Sequence, residues 1–252
     1  MSGHSKWAGI KHKKAVVDAK RGQAFTRASR EITIAAKEGG GGDIDSNFRL
    51  RLAVQKAREA NMPADRIQAA IDRGTGAGKG ESLEELRYEG YGPAGVAIMV
   101  DSMTDNRNRT AAAIRHVFSK HGGSLGETNS VAWMFERKGV ITAEAGDKDA
   151  EEIGLVAIEA GADDIQVEGR TVEITTDPSS FETVRKAVEA TGVDFENAEI
   201  TMQPKQTVPV GEDKAASVLR LLEALEEEDD VQQVYANFDI PEEVLERVSA
   251  SV

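Results

Sequence analysis

The stretch that decides the fold is residues 139–203, GVITAEAGDKDAEEIGLVAIEAGADDIQVEGRTVEITTDPSSFETVRKAVEATGVDFENAEITMQ. A strand opens it, and the apolar spacing then predicts a helix over 148–160. Strands follow over 164–168 and 171–176, a second helix over 179–191, and a last strand over 193–202. Strand, helix, two strands, helix, strand is the split βαβ order, an antiparallel sheet covered by two helices. This stretch is a complete ferredoxin-like module.

The chain on either side of it is incomplete. YEGYGPAGVAIMVDS (88–102) holds an apolar strand from Val96 to Val100, and NRTAAAIRHVFSKHGG (108–123) is a helix with Ile114, Val117 and Phe118 inward and Gly122 at its end. SVAWMFERKGVITAE (130–144) supplies further strand material. That makes strand, helix, strand, one helix and one strand short of a comparable sheet. The tail carries both: a helix with Val218, Leu221, Leu222 and Leu225, then the strand DVQQVYANF (230–238). The second domain is therefore expected to be discontinuous, 81–136 plus 207–240, with a third domain, 137–206, inserted in it.

Upstream the period is helical. In AFTRASREITIAAKEGGGG (24–42), Phe25, Ala28, Ile32 and Ala35 share one face and the glycines from Gly39 stop the helix. NFRLRLAVQKAREANM (47–62) puts Leu50, Val54 and Ala57 on one face. A third helix starts near Pro63, where a missing N–H costs little, and runs through Ile67, Ala70 and Ile71 to Gly74. The expected fold is α+β: a small helical domain, 1–80, then two ferredoxin-like α/β-sandwich domains, the third inserted in the second. GTGAGKGES (74–82) reads as a linker. A phosphate loop would need glycine where Arg73 stands, a hydroxyl residue where Gly80 stands, and a strand in front of it.

Charge divides along the same boundary. The whole chain has a formal net charge of −13, yet residues 1–80 hold 16 Lys+Arg and 8 Asp+Glu, leaving −21 on the rest. A polyanion-binding head on an acidic body fits that asymmetry, and the acidic body should confine nucleic acid to one face. The structural alternative is a set of solvated basic helices. No apolar run reaches the roughly 20 residues that span a bilayer, and no secretory h-region follows Met1, so a cytoplasmic protein without a membrane partner is expected. The absence of cysteine excludes a disulfide framework and thiolate zinc sites.

The basic stretch GHSKWAGIKHKKAVVDAKR (3–21) supplies the candidate nucleic-acid contacts: His4, Ser5, Lys6, Trp7, Lys11, His12, Lys13, Lys14, Lys20 and Arg21, continued by Arg27 and Arg30. Lysine and arginine displace condensed counterions from phosphate, and an aromatic plane can stack on an unpaired base. Trp7 has two readings, base stacking or packing into the helical core. DNRNRT (105–110) sets Asn106, Arg107, Asn108 and Arg109 at a helix N-terminus, where free N–H groups favour an anion; the alternative is capping by Asp105 or Asn106. His116 and His121, five apart, lack the i, i+4 spacing of a helical zinc site and read as surface or capping residues. The run Glu226–Asp230 reads as solvated charge. No catalytic constellation, metal site or cofactor motif emerges.

GHSKWAGIKHKKAVVDAKRGQAFT (3–26), GGGGDIDSNFRLRLAVQKAREANMP (39–63), YEGYGPAGVAIMVDSMTDNRNRT (88–110) and GSLGETNSVAWMFERKGVI (123–141) closely resemble the YebC/PmpR family of bacterial proteins, which also includes mitochondrial activators of cytochrome oxidase translation. The resemblance runs over essentially the whole chain; GGGG varies a shorter glycine run in the family. It implies a three-domain architecture and a non-enzymatic role, traditionally transcription regulation through DNA binding. It also implies work in translation, at the ribosome, on difficult sequences such as proline runs. The expected partner is nucleic acid, DNA or ribosomal RNA or tRNA, bound by a monomer without a cofactor. An arm of lysines with histidine and tryptophan suits irregular RNA at least as well as duplex DNA. An acidic protein-interaction scaffold, its head docked on its own body, and an enzyme acting on nucleic acid are the alternatives.

Overall fold

Three helices open the computed structural model, which describes residues 18–76 and 83–249. They are α1 (Asp18–Glu38), α2 (Phe48–Glu59) and α3 (Ala64–Gly74). Ile32, Ala35, Leu50, Val54, Ala57, Ile67, Ala70 and Ile71 close the core between them, with Phe25 and Ala28 at its margin. The alanines let the helices approach. At Gly74 a Cβ would stand 2.3 Å from the Thr33 carbonyl of α1, so only glycine fits there.

One buried side chain fixes the α1–α2 corner. The Asn47 amide donates to the carbonyls of Ala35 at 2.8 Å and Gly41 at 2.9 Å, and its oxygen accepts from the Leu50 N–H at 3.0 Å. It thus caps the start of α2 and adds a second donor to the Ala35 carbonyl, which also accepts the Gly39 N–H at 2.9 Å. Gly40 and Gly41, at φ 98° and 117°, make the reversal that brings them together.

The next elements are β1 (Glu84–Tyr91), β2 (Ala97–Thr104), α4 (Arg107–Lys120) and β3 (Ser124–Leu125). Then come β4 (Phe135–Glu144), α5 (Ala150–Glu159), β5 (Asp164–Glu168), β6 (Thr171–Thr176), α6 (Phe181–Ala190) and β7 (Asp194–Pro204). The chain ends with β8 (Val208–Pro209), α7 (Glu212–Glu226), β9 (Val231–Ala236), β10 (Phe238–Asp239) and α8 (Glu242–Ser249). Two four-stranded antiparallel sheets result. One has the order β5-β6-β4-β7, the ferredoxin-like arrangement, and the other β3-β1-β2-β9. The second sheet takes its last strand from the tail, so the β4–β7 module is inserted in it. The fold is α+β, a helical unit followed by two sheet domains.

Strand β1 differs from the sequence expectation, which placed only Val96–Val100 as a strand in this region. EELRYEGY carries too much charge to read as a strand. The sheet absorbs that charge: Arg87 pairs directly across from Asp101 of β2, Nε to Oδ1 at 2.7 Å and Nη2 to Oδ2 at 2.9 Å. Most of the 130–144 strand material belongs instead to the inserted sheet, where β4 starts at Phe135. The core of the second domain also continues past residue 240, to Leu245 and Val248 of α8.

Strand β2 is buried on both faces. Ile98 and Val100 meet Phe118 of α4 and Leu221 and Leu222 of α7, while Ala97 and Met99 meet Val131, Phe135 and Tyr235. That burial explains its unbroken apolar run. The loop leading to the insertion is held by Glu89, only 3% exposed, whose carboxylate accepts the N–H groups of Asn129 (2.8 Å), Val131 (2.8 Å) and Ala132 (2.7 Å). Burial opposes its charge, but the three N–H groups prevail and hold its pKa below the ordinary glutamate value. The inserted module starts and ends as a strand pair, Phe135 opposite Pro204, with Lys205 N–H donating to the Met134 carbonyl at 2.8 Å.

Candidate nucleic-acid interface

The helical head does not present all its basic side chains to solvent. Arg27 Nη2 donates to the Glu226 carbonyl, Arg30 Nη1 to the Asp229 carbonyl, and Gln23 Nε2 to the Glu227 carbonyl at 2.7 Å. These acceptors lie at and just beyond the C-terminus of α7. Carbonyls there lack intrahelical partners and carry the negative end of the helix dipole, so guanidinium donors are stabilised. Arg30 also faces Asp230 at 3.0 Å. The head touches both sheets elsewhere, Arg49 pairing with Glu85 and Lys56 with Glu199 at 3.1 Å.

The acidic run is not uniformly solvated, which corrects its reading from sequence. Glu227 and Asp229 are exposed, but Asp230 is only 8% exposed. Its Oδ2 accepts from Thr110 Oγ1 at 2.7 Å, Arg109 Nη2 at 2.9 Å and Thr104 Oγ1 at 3.2 Å. Burial alone would raise the Asp230 pKa; the Thr110 hydroxyl and the guanidiniums of Arg109 and Arg30 outweigh it and lower it. Asp230 is thus a buried junction between α1, α4 and β9.

At the start of α4 the structure divides the second set of candidates. Asn106 caps the helix, its side chain accepting from the Arg109 N–H at 3.1 Å. Arg109 is bound to Asp105 at 2.7 Å as well as to Asp230. Arg107 and Asn108 are exposed, Arg107 lying 3.8 Å from Glu84. His116 is exposed and His121 stands at the C-cap of α4.

A cleft of about 380 Å³ opens between the head and the second domain. Four arginines line it: Arg30 of α1, Arg66 and Arg73 of α3, and Arg109 of α4. The Arg66 guanidinium lies over the Phe25 ring, 5.8 Å from its centroid, which fixes its plane. Arg73 donates to the Ser29 hydroxyl and the Ala69 carbonyl, both at 3.2 Å. Among the described residues neither Arg66 nor Arg73 has a carboxylate partner. Sequence reading did not select this pair. Its signal is a spacing of seven on one helix, which returns a side chain to the same face.

Of the arm candidates, His4, Ser5, Lys6, Trp7, Lys11, His12, Lys13 and Lys14 lie outside the described residues. Lys20 and Arg21 fall in α1, and their side chains lie outside what the structure describes. The sequence reading also passed over Trp133, a residue 66% exposed. Among the described residues no group of three or more His, Cys, Asp or Glu could hold a metal ion. No described helix is long and apolar enough to cross a membrane.

A helical head seated on the acidic end of one sheet domain, with a second sheet domain inserted in the first, defines a class of three-domain α+β proteins. The chain belongs to the TACO1/YebC family: residues 5–77 match its N-terminal domain and residues 83–238 its second and third domain. It is 56% identical over 249 residues to a protein of Natranaerobius thermophilus named a probable transcriptional regulatory protein, covering 98% of this chain and 99% of that one. A protein of Rubrobacter xylanophilus with the same name is 55% identical over 250 residues, covering 99% of this chain and 100% of that one. Among solved structures, a conserved hypothetical protein of Aquifex aeolicus superposes with a TM-score of 0.80 at 48% identity, covering 90% of this chain and 93% of that chain.

Proposed function

We propose that the protein is a non-enzymatic, cytoplasmic, monomeric regulator of gene expression that binds nucleic acid through its helical head and basic arm, with RNA at the ribosome as its ligand and translation as its process. In this reading the working units are a head, 1–80, a discontinuous domain, 81–136 plus 207–240, and an inserted domain, 137–206. One observation carries the proposal. The change from net positive to net negative charge falls where the helical fold gives way to the sheets, so one structural unit offers phosphate neutralisation and the others repel it. The regulatory names of the relatives support a regulator over an enzyme. RNA is preferred to duplex DNA because the arm combines point charges with Trp7, an aromatic plane for exposed bases.

Crosslinking followed by sequencing of bound nucleic acid in cells tests it. Reads concentrated in ribosomal RNA support the proposal, reads at promoter DNA redirect it to transcription, and neither would leave the scaffold reading. That second reading has an observation of its own, the seating of Arg27 and Arg30 on the carbonyls that end α7. Removal of residues 1–80 separates the two. Loss of nucleic-acid binding supports the regulator, and undiminished binding by the acidic remainder reverses the assignment.

A further inference from the structure

We infer that the cleft between the head and the second domain is a phosphate-binding site, with Arg66 and Arg73 as its primary ligands and Arg109 as the contact that carries the bound group across to the sheet. This goes beyond the arm: it places a built anion site on described helices, whether the phosphate belongs to RNA or to a free nucleotide.

Charge is the first argument. Of the four guanidiniums at the cleft, Arg30 and Arg109 are matched by Asp230 and Asp105, whereas Arg66 and Arg73 face the same space without a carboxylate among the described residues. The side chains named here therefore leave an excess of two positive charges on one concave surface. Like charges gathered in a concave site focus the local field and attract an anion.

Geometry is the second. Arg66 is held by the Phe25 ring through its face, which leaves its N–H edge free to donate. Arg73 is anchored through Nε and one Nη2 hydrogen and retains its other donors. Two planar forks on one helix face suit bidentate bonding to phosphate oxygens. The volume, about 380 Å³, is at the small end of ligand sites and admits a phosphoryl group with its sugar. A phosphate bound there bridges α3 and α4, and so fastens the head to the second domain.

The test uses the full chain and three probes: inorganic phosphate, uridine 5′-monophosphate and a ten-nucleotide single-stranded RNA. Modification of individual arginines by phenylglyoxal is followed by mass spectrometry. The expected result is at least fivefold slower modification of Arg66 and Arg73 with the monophosphate or the RNA, and an unchanged rate at Arg58, which is exposed on α2 outside the cleft. Equal protection of Arg58, or no protection of Arg66 and Arg73 at saturation, overturns the site. A charge-matched pair of variants follows, each checked by its melting temperature. Arg66→Glu should weaken RNA binding at least tenfold more than Arg58→Glu and reduce the log–log salt slope by about one; equal losses overturn the site. RNA binding with its salt slope but no protection at the cleft would defeat this site and leave the nucleic-acid reading intact. Protection by the monophosphate with no RNA binding would do the reverse.

Discussion

Replacing Asp230 by asparagine tests the junction that seats the head. The side chain keeps its size but loses its charge and one acceptor oxygen. In the native protein the two carboxylate oxygens take Thr110 at 2.7 Å, Arg109 at 2.9 and 3.2 Å, Thr104 at 3.2 Å and Arg30 at 3.0 Å. Asparagine turns an NH2 group toward some of these donors and leaves at least one without a partner. Breaking a buried charged pair costs about 3–5 kcal/mol; solvent reaches the partners here, which lowers the expected cost at neutral pH to about 2–3 kcal/mol. The pH dependence follows from the depressed pKa. A carboxylate with a lower pKa in the folded state contributes stability that is complete above the unfolded aspartate value, about 3.9, and is lost as pH falls through the folded value. The difference between wild type and Asp230→Asn should therefore be level from about pH 8 to about pH 5 and shrink below about pH 4. Urea unfolding followed by far-UV circular dichroism at a series of pH values measures it. A cost under about 0.5 kcal/mol at neutral pH, or one that persists undiminished at about pH 3, refutes the reasoning.

Asn47→Ala removes a cap and the donor to the Gly41 carbonyl, while the Ala35 carbonyl keeps the Gly39 N–H, at an expected cost of about 1–2 kcal/mol in thermal or urea melts; a change within about 0.5 kcal/mol would show that water replaces the amide. Glu89→Gln should speed amide exchange at Val131 at least tenfold above about pH 5, because one of two acceptor oxygens is lost, and the difference should narrow in acid as wild-type Glu89 protonates. Unchanged exchange at Val131 would mean the loop is held by its own backbone. Charge reversal at Lys11, Lys13 and Lys14 together should shrink the log–log salt slope of RNA binding by roughly two to three units, and an undisturbed slope would assign those lysines to solvent.

The inserted sheet was legible because its two helices and four strands each carry a period of their own, and Val172 and Ile174 or Val184 and Val188 mark the buried faces plainly. The head was legible for the same reason. Strand β1 was not, since cross-strand pairing of Arg87 with Asp101 permits charges where periodicity expects apolar residues. Asp230 was hidden inside a run of five acids, and no local pattern separates the one that meets Thr110 from its solvated neighbours. Arg66 and Arg73 share a face that can be counted on α3, but the cleft they line forms only when α1 and α4 meet, a contact between residues far apart in the chain. The C-terminal helix α8 is short, and its two core residues, Leu245 and Val248, gave too little repetition to read.

The pairing of Phe135 with Pro204 gives the inserted module a single doorway. Both chain crossings occur within one rung of a ladder, a backbone link that a tight turn would make as well; beyond it the module gives the rest of the molecule Glu199, which pairs with Lys56, and Met202, which packs with Ala97 and Met99. A chain joining Glu136 to Gln203 through a two-residue turn should still fold its head and host sheet, losing the Lys56–Glu199 pair and the Met202 contact but keeping Phe135 in place against Ala97 and Met99. By the same token the doorway accepts exchange. Any module whose first and last strands pair at their open ends can be transplanted there, so the inserted domain is a replaceable cartridge, able to diverge or be swapped without disturbing the junction at Asp230.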